Sequence, residues 1–255
     1  MDRENMKQNL LSLTGKVYDD GLSQSVKVAG NAISDLLKFV ALPFSFLGMT
    51  SDELLDRYRK FLEKSIRKVD VDKIISPEPI ILTKLFEDVK FVFSDKTLEE
   101  MFSNLLASSM NKDTAANIHI SFVKIISQLD TVDAKLFKEI HTKEIFPICD
   151  VYFSNGIMGE KLFSNLCYYD NIDGKKLSIS IVNLLRLGLI EIVDNSDLVD
   201  SLFADIKNMD EFRRMEIIYE KVKKEKPEFA NYKIDLDKRK VSFTTLGEVF
   251  SNYVF

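Results

Sequence analysis

Cysteine and histidine are nearly missing from this chain. Two of each stand among its 255 residues: Cys149, Cys167, His119 and His141. Two cysteines are too few for a disulfide framework. Zinc is disfavoured as well, because His141, Glu144, Cys149 and Cys167 show neither the CxxC nor the HExxH spacing that places two ligands on one metal. The glycines build no GxGxxG or GxxxxGK(S/T) phosphate loop, and there is no GxSxG nucleophile elbow. Carboxylates are abundant, but clusters such as Asp19-Asp20 and Glu99-Glu100 fit helix starts or solvated faces, so no catalytic pair can be named. The expectation is a protein that is not an enzyme, with no metal, no cofactor and no small-molecule substrate.

Long apolar runs are scarce too. The first ten residues, MDRENMKQNL, lack the apolar core of a secretory signal, which makes the cytoplasm the expected address. A membrane-spanning helix needs about 20 mainly apolar residues. Here the uncharged stretch between Lys38 and Asp52 is shorter than that, and Asp35, Lys38 and Pro43 interrupt the region. From Lys27 to Ala41, Lys27, Asn31, Ser34, Asp35 and Lys38 fall on one stripe, with Val28, Ile33, Leu36, Leu37 and Val40 on the rest. This reads as a core helix with one wet edge, or as a helix able to lie in the inner membrane surface. In the second case Leu36, Val40, Phe44 and Phe46 are the candidate membrane-surface contacts, and the protein is peripheral to the inner membrane.

What is present is a balanced globular composition, 45% hydrophobic and 29% charged, which supports one large domain or two of ordinary size. The net charge of −5 argues against a globally basic nucleic-acid binder and leaves only local patches to consider. Residues 1–26 are polar and read as a partly ordered arm. Thr50 and Glu53 form a capping box. Leu54, Leu55, Tyr58, Phe61, Leu62, Ile66 and Val69 then trace a buried helix face, opposite a basic one made of Arg57, Arg59, Lys60, Lys64, Arg67, Lys68 and Lys73. That basic face could meet nucleic acid or anionic lipid, although Glu63, Asp70 and Asp72 dilute it. Ser76-Pro77-Glu78-Pro79 is a stiff connector, and Ile81, Leu82, Leu85, Phe86 and Val89 make the next helix. Asp95 is placed to cap a helix carrying Leu98, Met101, Phe102, Leu105 and Leu106. A further helix follows through Phe122, Ile125, Ile126 and Leu129, with His119 and Ser121 at the joint. Residues 27–130 therefore read as an α-helical bundle.

The pattern changes beyond Asp130. Thr131 to His141 is a helix, followed by a less regular region with Pro147, Gly156 and Gly159. Ser178 to Gly188 is a helix closed by glycine, and Leu189 to Val193 a strand. Asn195 to Phe229 reads as a helical insertion with Phe212, Met215, Tyr219 and Val222 on one face. Tyr232, Ile234 and Leu236, a turn at Asp237 to Arg239, and then Val241 and Phe243 read as a hairpin, before a last helix from Thr245. Residues 131–255 thus resemble the winged-helix plan, and the fold class expected is mainly α, a helical bundle followed by a winged-helix-like α+β domain with a small β-hairpin. A winged helix suggests DNA. Its candidate contacts are Lys175, Lys176, Ser180, Asn183 and Arg186 at the helix, and Lys238, Arg239 and Lys240 at the wing tip.

The wording of one stretch says more than its periodicity. MFSNLLASSMNKDTA, then HxSFVxIIxQL from His119, then Asp133-Ala134, resembles the signature of the Abi-alpha family, a bacterial group associated with abortive infection, that is, phage defence. Upstream, Val17 to Asp20, Gly30, Leu42-Pro43 and the segment of Pro77 and Pro79 stand in the family's order. Ile120 departs from it, since the family usually has proline after the histidine. The resemblance implies a biological role and no reaction. His119, Ser121, Phe122, Gln128 and Asp133 are carried over as signature positions of unassigned role, and His119 reads as a helix cap or a carbonyl partner sooner than as a general base. Two functions are expected from this reading. One is a phage-defence protein that binds a protein partner, host or phage, or the membrane surface. The other is a DNA-binding regulator or sensor.

Overall fold

The computed structural model describes residues 51–194 and 198–255. The expected N-terminal arm, the helix with Leu36, Val40, Phe44 and Phe46 near it, and the Thr50 half of the capping box lie outside the described residues. The chain divides into two compact units, the second being Leu129–Ser251 and the first the residues before it together with Asn252–Phe255.

In the first unit the apolar spacing becomes four described helices: α1 (Ser51–Ile66), α2 (Pro79–Val89), α3 (Lys96–Met110) and α4 (Ser121–Ile126). Pro79 stands in the first turn of α2, where its missing N–H is not needed. Asp95 caps α3 as expected, its Oδ1 accepting from the backbone N–H groups of Thr97 (2.9 Å) and Leu98 (3.1 Å). The core holds Phe61, Leu85, Phe102, Leu105 and Phe122, all buried. Burial raises the Tyr58 phenol to about 12, and its hydroxyl donates to Phe86 O at 2.7 Å. The basic face of α1 is largely neutralised. Lys64 meets Glu99 (3.2 Å) and Glu100 (2.6 Å), Lys68 meets Glu100 (2.5 Å), and Lys60 meets Asp56 (2.6 Å). Asn104 Nδ2 donates to Val254 O at 2.9 Å, so the end of the chain belongs to this unit's packing.

The second unit opens with α5 (Thr131–Thr142) and continues through β1 (Phe146–Ser154), β2 (Gly159–Leu166), α6 (Gly174–Arg186) and β3 (Ile190–Asp194). Then come α7 (Ala204–Asn208), α8 (Asp210–Glu225) and β4 (Lys233–Phe243), and α9 (Thr245–Val254) closes the chain. The strands form one antiparallel sheet in the order β2-β1-β4-β3. The fold is helix-rich, as expected, and α+β, with one four-stranded antiparallel sheet.

Two expectations are corrected here. The stretch expected to be irregular is the β1–β2 hairpin. Pro147 is tolerated in β1 because β2 pairing begins only at Cys149↔Leu166, leaving no ladder on that side to ask for the missing N–H. The hairpin expected within residues 232–243 does not form either. β4 is one continuous strand in which Lys238, Arg239 and Lys240 pair with Cys149, Ile148 and Pro147. Asp237-Lys238-Arg239 contains neither glycine nor asparagine to favour a tight hairpin turn, and β1 offers a partner for every residue of the supposed turn.

Gly247 sets the seat of α9. A Cβ there would stand 1.8 Å from Leu189 O and 2.8 Å from Leu189 C, so only glycine lets the helix lie against the backbone that leads into β3. Thr244 Oγ1 accepts from Gly247 N–H at 3.0 Å and donates to Gly188 O at 2.5 Å, tying the start of α9 to the turn after α6.

Candidate functional site

The family-signature positions resolve into architecture. His119 is exposed, its Nδ1 accepting from the Ser121 N–H (3.2 Å) and standing 2.7 Å from Ser121 Oγ, so the imidazole caps the first turn of α4. Phe122 is buried and stacks on Tyr253 with ring centroids 6.3 Å apart. Gln128 Nε2 donates to Lys124 O at 3.0 Å, which finishes the same helix. Asp133 is buried and makes a reciprocal capping box with Asp130. Its Oδ2 also accepts from Asn183 Nδ2 at 2.6 Å, joining α5 to α6.

Asn183 is thus spent on Asp133, and its own Oδ1 accepts from Arg186 Nε (3.1 Å) and Nη2 (2.8 Å). Ser180 is buried. Lys175, Lys176 and Arg186 are exposed on α6. The three cations expected at a wing tip lie instead in β4 and are half-buried. Lys238 donates to Leu198 O at 3.0 Å and pairs with Asp200 at 2.5 Å. Lys240 sits between Pro147 and Val193 in the ladder. Arg239 belongs to a charge centre that the sequence did not reveal.

That centre is built on Asp150 in β1, whose side chain is only 5% exposed. Its Oδ1 accepts from Asn165 N–H at 2.8 Å, and Lys161 of β2 and Arg239 of β4 both pair with it. Arg239 faces Ile148 directly and Asp150 diagonally across the β1–β4 ladder. The backbone N–H of Asn165 is available because β2 is irregular there, with Asn165 at φ 55° and the register to β1 shifting between Cys149 and Val151. Burial by itself pushes the Asp150 carboxyl up. The hydrogen bonds from Lys161 and Asn165 and the Arg239 charge outweigh it and hold the group below its ordinary 3.8. Arg239 Nε is buried without a hydrogen-bond partner and lies 3.8 Å from Asp237 Oδ2. The arrangement locks three strands together by charge.

Neither cysteine is poised for chemistry. Both are buried, and burial raises the Cys149 thiol to about 12 and pushes Cys167 higher still. Among the described residues no group of three or more His, Cys, Asp or Glu is placed to hold a metal ion, and no helix is long and apolar enough to cross a membrane.

The most exposed large apolar side chain among the described residues, Ile157 at 92%, sits at the tip of the β1–β2 hairpin beside Met158 at 68%. The tip is rigidly built. Asn155 Oδ1 accepts from the N–H groups of Ile157 (3.0 Å) and Met158 (2.8 Å), Asn155 N–H donates to Met158 O (3.1 Å), and Gly156 takes φ +86°. Beside it lies a groove of about 350 Å³ lined by Tyr152, Ser154, Met158, Asp235, Leu236 and Asp237. The charged residues that line it, Asp235 and Asp237, are acidic, with Lys233 3.8 Å from Asp235 and Lys161 over the Tyr152 ring beside them. The dipeptide Asn155-Gly156 was the available sign of this turn.

Residues 50–254 match the family described as abortive infection alpha. No curated protein and no solved structure matches the chain.

Proposed function

Because the chain belongs to the abortive infection alpha family, we propose that it serves phage defence as a binding protein, without turnover, and meets a protein partner through the tip of the β1–β2 hairpin. The observation that carries this reading is the pair Ile157 and Met158, two large apolar side chains in solvent on a turn held by three hydrogen bonds, two of them to the Asn155 side chain. Such a turn loses little conformational freedom on docking, which favours affinity. The Asp235 and Asp237 carboxylates lining the neighbouring groove fit a partner that offers an apolar pocket with Lys or Arg at its edge. Of the other polar groups marked by the sequence, His119, Gln128, Asp133, Asn183, Lys238 and Arg239 are engaged in caps, hydrogen bonds and ion pairs that support structure.

The finer fold reading is of the same standing. The described helices of the first unit fit a helical bundle. Of the winged-helix plan the second unit keeps the order α6, β3, β4, α9, with the wing replaced by a central strand. The DNA-binding alternative keeps Lys175, Lys176 and Arg186, while Ser180, Asn183, Lys238 and Arg239 are committed elsewhere.

The test is a double substitution, Ile157→Asp with Met158→Asp, in cells challenged with phage. Exposed positions of this kind change stability by roughly 0.5 kcal/mol or less, so the melting temperature stays close to that of the wild type. Loss of two central contact residues weakens binding by ~30-fold or more, and plating efficiency of the phage rises towards that on unprotected cells. Unchanged protection from the folded variant would falsify the assignment.

A further inference from the structure

The second unit exposes apolar side chains away from the hairpin as well, Ile217 and Ile218 on α8 among them, and those on α6 stand in a setting of different chemistry. α6 is anchored by an inner face of Leu177, Ser180, Ile181 and Leu184, all buried. Its outer face carries Lys175, Ile179, Val182 and Arg186, at i, i+4, i+7 and i+11. At 3.6 residues per turn these four fall within roughly 60° of one another, in a single stripe along the helix. Ile179 is 69% exposed and Val182 53%. Lys176 is exposed at the stripe's side, and α6, GKKLSISIVNLLR, contains no carboxylate at all. The carboxylates nearest the helix stand at its start: the N-cap Asp173 accepts from the N–H groups of Lys175 (3.1 Å) and Lys176 (3.2 Å), and Glu211 accepts from Gly174 N–H (2.8 Å). Beyond the far end, Leu246 lies against Gly188, 3.9 Å from where a Cβ would stand, and it too is exposed.

From this face we infer that α6 docks the protein on an anionic lipid surface. The order along the stripe is cation, apolar, apolar, cation, spanning ~16 Å from Lys175 to Arg186 at 1.5 Å per residue. That order matches a helix lying in a membrane interface, where the apolar side chains enter the acyl boundary and the cations at either end stay at the level of the phosphates. Hydrogen bonds to Asn183 Oδ1 hold the Arg186 guanidinium alongside the helix, so it is set in place before contact. A helix that reads a DNA groove needs polar side chains at its centre to meet base edges, and the centre here is Ile179 and Val182. The net charge of −5 does not oppose docking, because the attraction is local: each Lys or Arg at an anionic surface raises partitioning about fivefold, and the effect fades within about a Debye length.

The experiment is co-sedimentation of the full chain with vesicles of phosphatidylglycerol and phosphatidylcholine, set against phosphatidylcholine alone, at low and high salt. The protein is expected to pellet with the anionic vesicles and to be released by salt. Lys175→Gln with Arg186→Gln lowers binding by about 25-fold, two steps of fivefold. Ile179→Asn with Val182→Asn weakens it at unchanged charge. All four positions are exposed, so circular dichroism should show both variants folded. The hairpin variant Ile157→Asp with Met158→Asp should pellet like the wild type, which separates this result from the fate of the partner-binding reading. Absence of pelleting with anionic vesicles overturns the inference. So does pelleting of either α6 variant equal to that of the wild type, or pelleting lost on substituting Leu36 and Val40 instead. Tighter binding to a DNA duplex, insensitive to Ile179→Asn with Val182→Asn, overturns it in favour of nucleic acid.

Discussion

Asp150→Asn is expected to lower stability by about 3 kcal/mol, the low end of the cost of breaking a buried ion pair. Asparagine keeps the shape and can still accept from Asn165 N–H. It leaves Arg239, whose side chain is only 15% exposed, with Asp237 at 3.8 Å from its Nε as the nearest remaining counter-charge. Lys161, at 44% exposure, can turn to solvent, and for that reason the upper end of the range is not reached. A loss of that size lowers the melting temperature by roughly 6–12 °C in a chain of this length. Replacing both partners, Asp150→Leu with Arg239→Met, should recover much of it, since an apolar pair carries no uncompensated charge. The pH dependence follows from the carboxyl being held below its ordinary 3.8. A depressed acid contributes stability that is complete above the unfolded value and disappears as pH falls through that value towards the folded one. Wild-type protein should therefore lose stability more steeply below about pH 4 than Asp150→Asn does. Equal melting temperatures and parallel acid profiles would mean that the sheet does not depend on this centre.

Gly247→Ala should be at least as damaging. The added methyl meets Leu189 O at 1.8 Å, and the obstacle is backbone, which cannot swing away as a side-chain tip would. Leu189 O already accepts from Thr244 N–H at 3.2 Å, so relief requires either α9 to lift from its seat or β3 to move within the sheet. Both undo buried packing around Phe243 and Phe250, and a cost above ~3 kcal/mol is expected. The readout is soluble yield and thermal unfolding. Gly156→Ala is the control. It occupies open space and suffers only its positive φ, at a cost of roughly 1–2 kcal/mol. Should Gly247→Ala melt with the wild type, the seat described for α9 would be wrong.

The parts of this structure that could be read from sequence are those decided by neighbours along the chain. Apolar residues at i, i+3 and i+4 located α2, α3 and α5, and Asp95 and Pro79 marked helix starts because a cap or a proline acts within one turn. The sheet was harder for the opposite reason. Asp237-Lys238-Arg239-Lys240 looks like a solvated turn until the residues that neutralise it are known, and these come from far away: Asp150 lies 89 positions from Arg239. Pro147 likewise argues against a strand unless β2 is known to begin its pairing later. At the candidate site, the polar residues that sequence marks were the ones local structure uses, His119 for a cap and Asp133 for a capping box. Ile157 and Met158 carry no polar signature, and only the geometry of the turn shows that they face solvent.

The two buried thiols give the molecule a clock. Cys149 lies in β1, and Cys167 directly follows the last residue of β2. A thiol reagent needs access and a thiolate, and both sulfurs are denied both in the folded chain. Modification must wait for the β1–β2 edge to part, so the labelling rate counts openings of that edge. The same chain with Asp150→Asn should run this clock faster.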